Sequence, residues 1–177
     1  MDWYVVDKNY IQYLLQFDSN VGFINYGSRL KLYLGIILNV GNFFYYVPIS
    51  SAKEKHKNMK NSLDFQKIQD ENELYAVLNL NNMIPVPDSC IRRLKYNQIE
   101  NFRNFDSEKS RIDYIYLLQK EKVIIDGLEN LIKDKAKKLY DKCKKFPDSQ
   151  LAARCCKFSL LEEKLLLWLG GNYGEQK

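Results

Sequence analysis

The spacing of apolar residues changes once along this chain, near Ser107, and that change narrows the folds open to it. Before Ser107, short runs rich in β-branched and aromatic residues alternate with turn residues. After it, Tyr114, Leu117, Leu118, Glu121, Ile124, Ile125, Leu128, Leu131, Ile132 and Leu139 recur at helical spacing. Strands first and helices later predict an α+β fold around a mostly antiparallel sheet. In the first part, Trp3–Asp7 reads as a strand, and Asp7 is placed to cap a helix over Asn9–Phe17, where Tyr10, Tyr13, Leu14 and Phe17 repeat. Asp18–Ser28 reads as a loop. Leu32–Val40 and Phe43–Ile49 read as a hairpin turning at Gly41-Asn42, with the following Ser-Ser-Ala-Lys leaving at the sheet edge. Ser62–Ile68, Tyr75–Leu80 and Ile91–Tyr96 are further strand candidates, with Pro85 and Pro87 interrupting any ladder between them. Gly127 is the expected break in the helical region, Pro147 its end, and Leu160–Leu169 a last helix. No repeat or linker divides residues 1–177, so one domain is expected, strand-rich over 1–100 and helix-rich over 107–170.

A chain of 177 residues is long enough to bury one substantial core, and its 46% apolar and 28% charged residues are those of an ordinary globular protein. The net charge of +5 is unevenly spread. Residues 133–145 hold seven Lys against Asp134 and Asp141, and residues 53–67 hold five Lys against Glu54 and Asp64. Two basic zones suit a polyanion, and 13 Tyr permit base stacking. The same lysines are equally compatible with a solvated helix face. Cys90, Cys143, Cys155 and Cys156 lack zinc-ligand spacing, and one histidine cannot complete a Cys/His site, so neither metal nor cofactor is expected. Reduced cysteines, an N-terminus without a basic-then-apolar pattern and the lack of a long apolar run point to a cytoplasmic protein with no membrane partner.

The densest chemistry lies in Ser50-Ser51-Ala-Lys53-Glu-Lys55-His56. Cutting RNA without a metal requires a base for the 2′-OH, a stabiliser of the phosphorane charge and an acid for the 5′-oxygen. Lys53 can clamp a phosphate oxygen, Ser50 and Ser51 can donate hydrogen bonds to it, and His56 can exchange protons near neutrality. A lysine acting as base would need its pKa lowered by burial or by neighbours such as Lys31 and Lys55. Ser51-Ala-Lys-Glu54 also fits a capping box in which Ser51 caps a helix and Glu54 reaches back. A non-catalytic basic RNA-binding module, or a plain interaction domain, fits these residues as well.

The order of several blocks separates these alternatives. The chain carries Tyr4-x-x-Asp7-x-x-Tyr10-x-x-Tyr13-Leu14 and Lys31-x-x-x-Gly35. Then come Tyr46-Val-Pro48-Ile-Ser-Ser-x-Lys53-x-x-His56, Ser62-x-Asp-Phe-x-Lys67-Ile68 and Leu78-Asn-Leu-Asn-Asn-Met-Ile-Pro85-Val86. This order resembles the ToxN/AbiQ family, the protein partners of type III toxin–antitoxin systems. The specific motifs span roughly residues 3–90, and a helix-rich pattern continues to about 165.

The resemblance implies a bent antiparallel sheet packed with helices, similar to the MazF/Kid toxins. It implies a metal-independent endoribonuclease that leaves 2′,3′-cyclic phosphate and 5′-OH ends. Its inhibitor would be a small structured repeat RNA, cut by the toxin from a precursor and assembled with it into a closed ring. The other substrates would be cellular or phage RNA, and the role phage defence by abortive infection in a bacterial cytoplasm. By position, Ser51 and Lys53 match the family's catalytic pair, Ser50 a Thr/Ser position, Lys31 a basic residue before the strand glycine, and His56 the motif histidine. Tyr26 and Arg29 fall in the loop bordering the family's active site. Lys55, Lys57 and Lys60, with Lys133, Lys137 and Lys144 of the second basic zone, are expected to contact RNA. Asn79–Met83 is expected to be mainly structural. Ala52 stands where some members have proline.

Overall fold

A computed structural model describes residues 1–22 and 31–172 of the chain. Its strands are β1 (Asp2–Val6), β2 (Tyr33–Val40), β3 (Phe43–Ser51), β4 (Phe65–Gln69), β5 (Leu74–Asn79), β6 (Ile84–Pro85) and β7 (Ile91–Arg93). Its helices are α1 (Lys8–Leu15), α2 (Glu54–Lys57), α3 (Glu108–Gly127), α4 (Glu129–Lys145), α5 (Gln150–Ala153) and α6 (Phe158–Asn172). The strands form one antiparallel sheet in the order β4-β5-β3-β2-β1-β7, with β6 pairing to β3. The α+β expectation holds, with strands confined to the first part and the long helices to the second.

Local chemistry accounts for most boundaries. The Asp7 carboxylate accepts from the Asn9 N–H (2.7 Å) and starts α1. Gly41 takes φ +58 at the β2–β3 hairpin, a left-handed conformation that glycine adopts without a Cβ penalty. The Ser107 hydroxyl caps α3, and α3 gives way to α4 at Gly127-Leu128. Gly35 has a packing reason: a Cβ there would sit 2.1 Å from the Tyr46 ring, which lies across β2 and meets Tyr4 edge-on.

Several boundaries differ from the sequence expectation. Ser62 to Asp64 turn ahead of β4, closed by a Ser62 N–H bond to the Phe65 carbonyl. Beyond Arg93 the expected strand becomes a 3-10 turn over Tyr96–Asn101. Pro85 does join the sheet, because a two-residue bridge beside Tyr45 makes no demand on a proline N–H. The largest difference concerns the end of β3: it is no sheet edge but an inner strand, flanked by β5.

The helices bury the sheet through a core that includes Leu34, Ile37, Leu78, Leu80, Met83, Ile132, Leu139 and Leu161. A polar clasp lies within it. The buried Glu162 of α6 accepts from Tyr45 of β3 (2.9 Å) and Tyr140 of α4 (2.6 Å), so three elements share one carboxylate. No helix among the described residues is long and apolar enough to cross a membrane.

Candidate active site

β3 brings the serine–lysine motif to the end of an inner strand. Ile49, Ser50 and Ser51 pair with Leu78, Val77 and Ala76 of β5, while the Ile49 N–H donates to the Leu32 carbonyl on the other side (3.1 Å). The ladder runs one residue further, with the Ala52 N–H donating to the Tyr75 carbonyl (3.0 Å). Strand alternation sends Ser50 and Ser51 to opposite faces. On the Ser50 side, Lys31 Nζ donates to Ser50 Oγ (3.0 Å), and the row continues through Val77 to Lys67. Ser51 and Lys53 stand two residues apart on extended backbone, the spacing that returns side chains to one side. Both are exposed, and among the described residues neither Ser51 Oγ nor Lys53 Nζ has a hydrogen-bond partner.

The turn that follows is not capped as the sequence suggested. Ser51 is held in β3 and cannot serve as N-cap, and Glu54 instead pairs with Lys57 (2.9 Å). Lys53 is the N-cap of α2. Its N–H donates to His56 Nδ1 (3.1 Å), and its carbonyl accepts from the His56 N–H (2.8 Å). His56 is buried, at 7% exposure, with its ring 5.9 Å from that of Phe65. Lys67 Nζ donates to the Lys57 carbonyl (2.7 Å) and so holds the far end of the turn.

Burial, reinforced by the positive charge of Lys53, lowers the Lys31 pKa to about 8. His56 is also lowered, first by burial and then by Lys55, Lys53 and Lys67. Lys31 with Ser50 on one face of the strand end and Ser51 with Lys53 on the other are donors and cations that flank the end of β3, near enough for the Lys53 charge to act on Lys31, and are suited to an anion lying across that end. Among the described residues, no group of three or more His, Cys, Asp and Glu is placed to hold a metal ion.

The other candidates are dispersed. Lys55, Lys57 and Lys60 are exposed beside the motif, giving the turn a basic rim. Lys133 and Lys137 line a surface cavity of about 470 Å³ with Ile36, Leu38 and Phe44. Phe44 lies at the opposite end of β3 from Ser51, roughly 23 Å away at about 3.3 Å per residue. Both lysines meet carboxylates one turn away, Glu129 (2.5 Å) and Asp141 (2.6 Å) respectively, while Lys144 donates to the Tyr140 hydroxyl (3.0 Å) behind the Glu162 clasp. The second basic zone is therefore partly offset by its own helix. Tyr26 and Arg29 lie outside the described residues. Lys67 stands in the Ser62-x-Asp-Phe-x-Lys67-Ile68 block of the sequence but was assigned no role from it. Its signal was the alternation of Phe65 and Lys67, which sets both on the face that receives the turn.

The Asn-rich motif behaves as expected of a structural element. Asn81 Nδ2 donates to the Arg154 carbonyl (2.9 Å) and the Asn81 carbonyl accepts from the Cys156 N–H (2.7 Å). Asn82 Nδ2 donates to the Asn20 carbonyl (2.6 Å), and Asn20 Nδ2 in turn to the Cys155 carbonyl (2.9 Å). Asp64 receives the Arg154 guanidinium (2.6 Å), and that contact helps hold its carboxyl below the usual range despite burial. Four separated chain segments are tied together by these side chains.

Comparison with known proteins places this architecture. Residues 2–166 match the family profile described as toxin ToxN of type III toxin–antitoxin systems. The endoribonuclease AbiQ of Lactococcus lactis subsp. lactis is 28% identical over 179 residues, covering 94% of this chain and 88% of that protein. A solved structure of AbiQ, described as a lactococcal anti-phage endoribonuclease of the type III toxin–antitoxin system, superposes with a TM-score of 0.80 at 27% identity, covering 96% of this chain and 98% of that one. Another, described under the statement that a processed non-coding RNA regulates a bacterial antiviral system, gives 0.76 at 27% identity, covering 93% and 97%.

Proposed function

This chain belongs to the ToxN family of type III toxin–antitoxin toxins, and from that membership we propose that it is a metal-independent endoribonuclease whose site is Ser51, Lys53, Lys31 and Ser50. The observation that carries the site is the Lys31–Ser50 contact, beside Ser51-x-Lys53 at the end of β3. In its neutral form, increasingly populated as pH approaches about 8, Lys31 takes the 2′-OH proton. The O2′–P bond forms as the P–O5′ bond breaks. The Lys53 ammonium and the Ser51 hydroxyl meet the charge gathered on the phosphorane oxygens. Lys53 then gives a proton to the departing 5′-oxygen, and solvent resets both amines. The products are a 2′,3′-cyclic phosphate and a 5′-OH.

The basic rim of Lys55, Lys57 and Lys60 supports a path for the RNA backbone. Relatives named as type III toxins and as regulated by a non-coding RNA support an RNA inhibitor here too. On this reading the inhibitor is a small structured repeat RNA, which the enzyme cuts from its precursor and which closes with it into a ring. Tyr26, Arg29, Lys133, Lys137 and Lys144 add RNA contacts. Residues 1–177 act as one toxin domain with a MazF/Kid-like bent sheet, in the bacterial cytoplasm, against phage.

Purified protein incubated with a defined RNA in excess chelator tests this. Discrete cuts with 2′,3′-cyclic phosphate and 5′-OH ends, absent in Lys53→Ala, are expected. Intact RNA from a preparation free of bound nucleic acid would overturn the enzymatic reading in favour of a binding module.

A further inference from the structure

Among the described residues nominated for chemistry, His56 is the buried one, Lys31 and Ser50 being half-buried. It is 7% exposed, with its ring against Phe65, while Ser51 and Lys53 stand in the open. Its Nδ1 accepts the Lys53 N–H at 3.1 Å, so that nitrogen is the unprotonated one. The reciprocal Lys53 carbonyl bond to the His56 N–H, at 2.8 Å, closes the turn around one residue. This is the return half of a capping box, with an imidazole at the third helical position where Glu or Gln is usual. Ser51 and Glu54, the pair the sequence offered for that task, are engaged elsewhere.

We infer that His56 is a positioning residue, which fixes the backbone of Lys53 and thereby aims its ammonium, and that it transfers no proton in the reaction. The inference rests on the proposed role of Lys53. Chemistry and surroundings agree with it. A neutral imidazole keeps Nδ1 as an acceptor, whereas a protonated one presents an N–H to the Lys53 N–H and repels it. The charged groups facing His56 are Lys53 and Lys55 from its own segment and Lys67 from β4, all cationic, and with burial they favour the neutral ring. The folded pKa lies below the ordinary 6.5, so the hold on Lys53 is complete above that value and is lost as pH falls through the folded pKa.

Two substitutions separate aim from proton transfer. His56→Asn puts an amide oxygen near the position of Nδ1 and removes all titration, while His56→Ala removes the acceptor. His56→Ala is expected to lower kcat by about 10²-fold with KM changed much less, as for a misplaced catalytic group. His56→Asn is expected to stay within about 5-fold of the parent at neutral pH and to lose the extra acid-side fall in kcat below pH 6.5. A circular-dichroism melt of each variant accompanies the assay. Should His56→Ala fail to fold, His56→Asn alone decides. Activity as low in a folded His56→Asn as in Lys53→Ala would overturn the inference and make His56 a proton-transfer group. Full activity in His56→Ala would overturn it as well. Full activity in Lys53→Ala would instead sink the site assignment on which it rests, a different and separately visible result.

Discussion

Two polar motifs lie close in sequence, Ser50–His56 and Asn79–Pro85, and they treat their polar groups in opposite ways. In the second, the Asn81 and Asn82 amides are consumed by carbonyls of distant segments, and the Leu80, Met83 and Ile84 side chains between them are buried. In the first, the backbone is held as firmly, by β5 on one side and the Leu32 carbonyl on the other, yet Ser51 and Lys53 face outward. Both motifs have their backbones bonded to other segments. They differ in whether the side-chain donors have been used, and that difference separates a residue that maintains the fold from one left able to meet a ligand.

The strongest way to break this contrast is at its exposed member. Lys53→Ala or Ser51→Ala should reduce cleavage by about 10²–10³-fold, since each removes a donor aimed at developing charge. Thermal melts should move by less than about 0.5 kcal/mol, as for surface changes. A large loss of stability in either variant would place the motif with the structural class.

Lys31→Met should act on both sides of the contrast. Cleavage should fall by about 10²-fold if Lys31 is the base, and the rising limb of the parent's pH profile, centred on about 8, should vanish. Stability at pH 7 should rise by about 1–2 kcal/mol, because burying an ammonium costs the fold. The sign follows from linkage. The folded pKa is depressed, so the unfolded chain binds more protons, and the penalty eases as pH rises from about 8 towards the ordinary lysine value. Urea melts at pH 7 and pH 9.5 should therefore show the mutant's advantage shrinking.

The buried member should respond the other way. Asn82→Ala leaves the Asn20 carbonyl unmet and should cost about 1–3 kcal/mol in a urea melt. Cleavage per folded molecule should change little. The smallest effect belongs to the second basic zone. Lys133→Ala with Lys137→Ala should leave the cleavage rate within about 3-fold and shallow the salt dependence of RNA binding by roughly one to two phosphates' worth of slope.

Sequence patterns revealed what neighbours in the chain decide. The Asp7 cap, the Gly41 hairpin and the break at Gly127 all rest on local rules and appear where expected. The inner placement of the β3 end was not legible, because pairing with β5 across some 25 residues leaves no local mark. That one unseen pairing also misled the reading of the turn. Held in the ladder, Ser51 is removed from the capping position that Ser-x-x-Glu spacing offered it, and His56, which composition alone would leave on the surface, moves inside. The contact of Lys31 with Ser50 is equally long-range. Only the resemblance to a family put Lys31 among the candidates, since spacing could not.

The inner strand has a further consequence, visible in the time domain. Segments that open and close on their own sit at frayed ends and loops, whereas an inner strand gives way only when the sheet does. The amides of Ile49 and Ala52 should therefore exchange with solvent at rates close to those of global unfolding. A strand of that kind, if it carries the site as proposed, has no partly melted, quiescent form to retreat to. On the proposed site assignment, restraint of the activity would then come from a ligand covering the site rather than from local melting of β3.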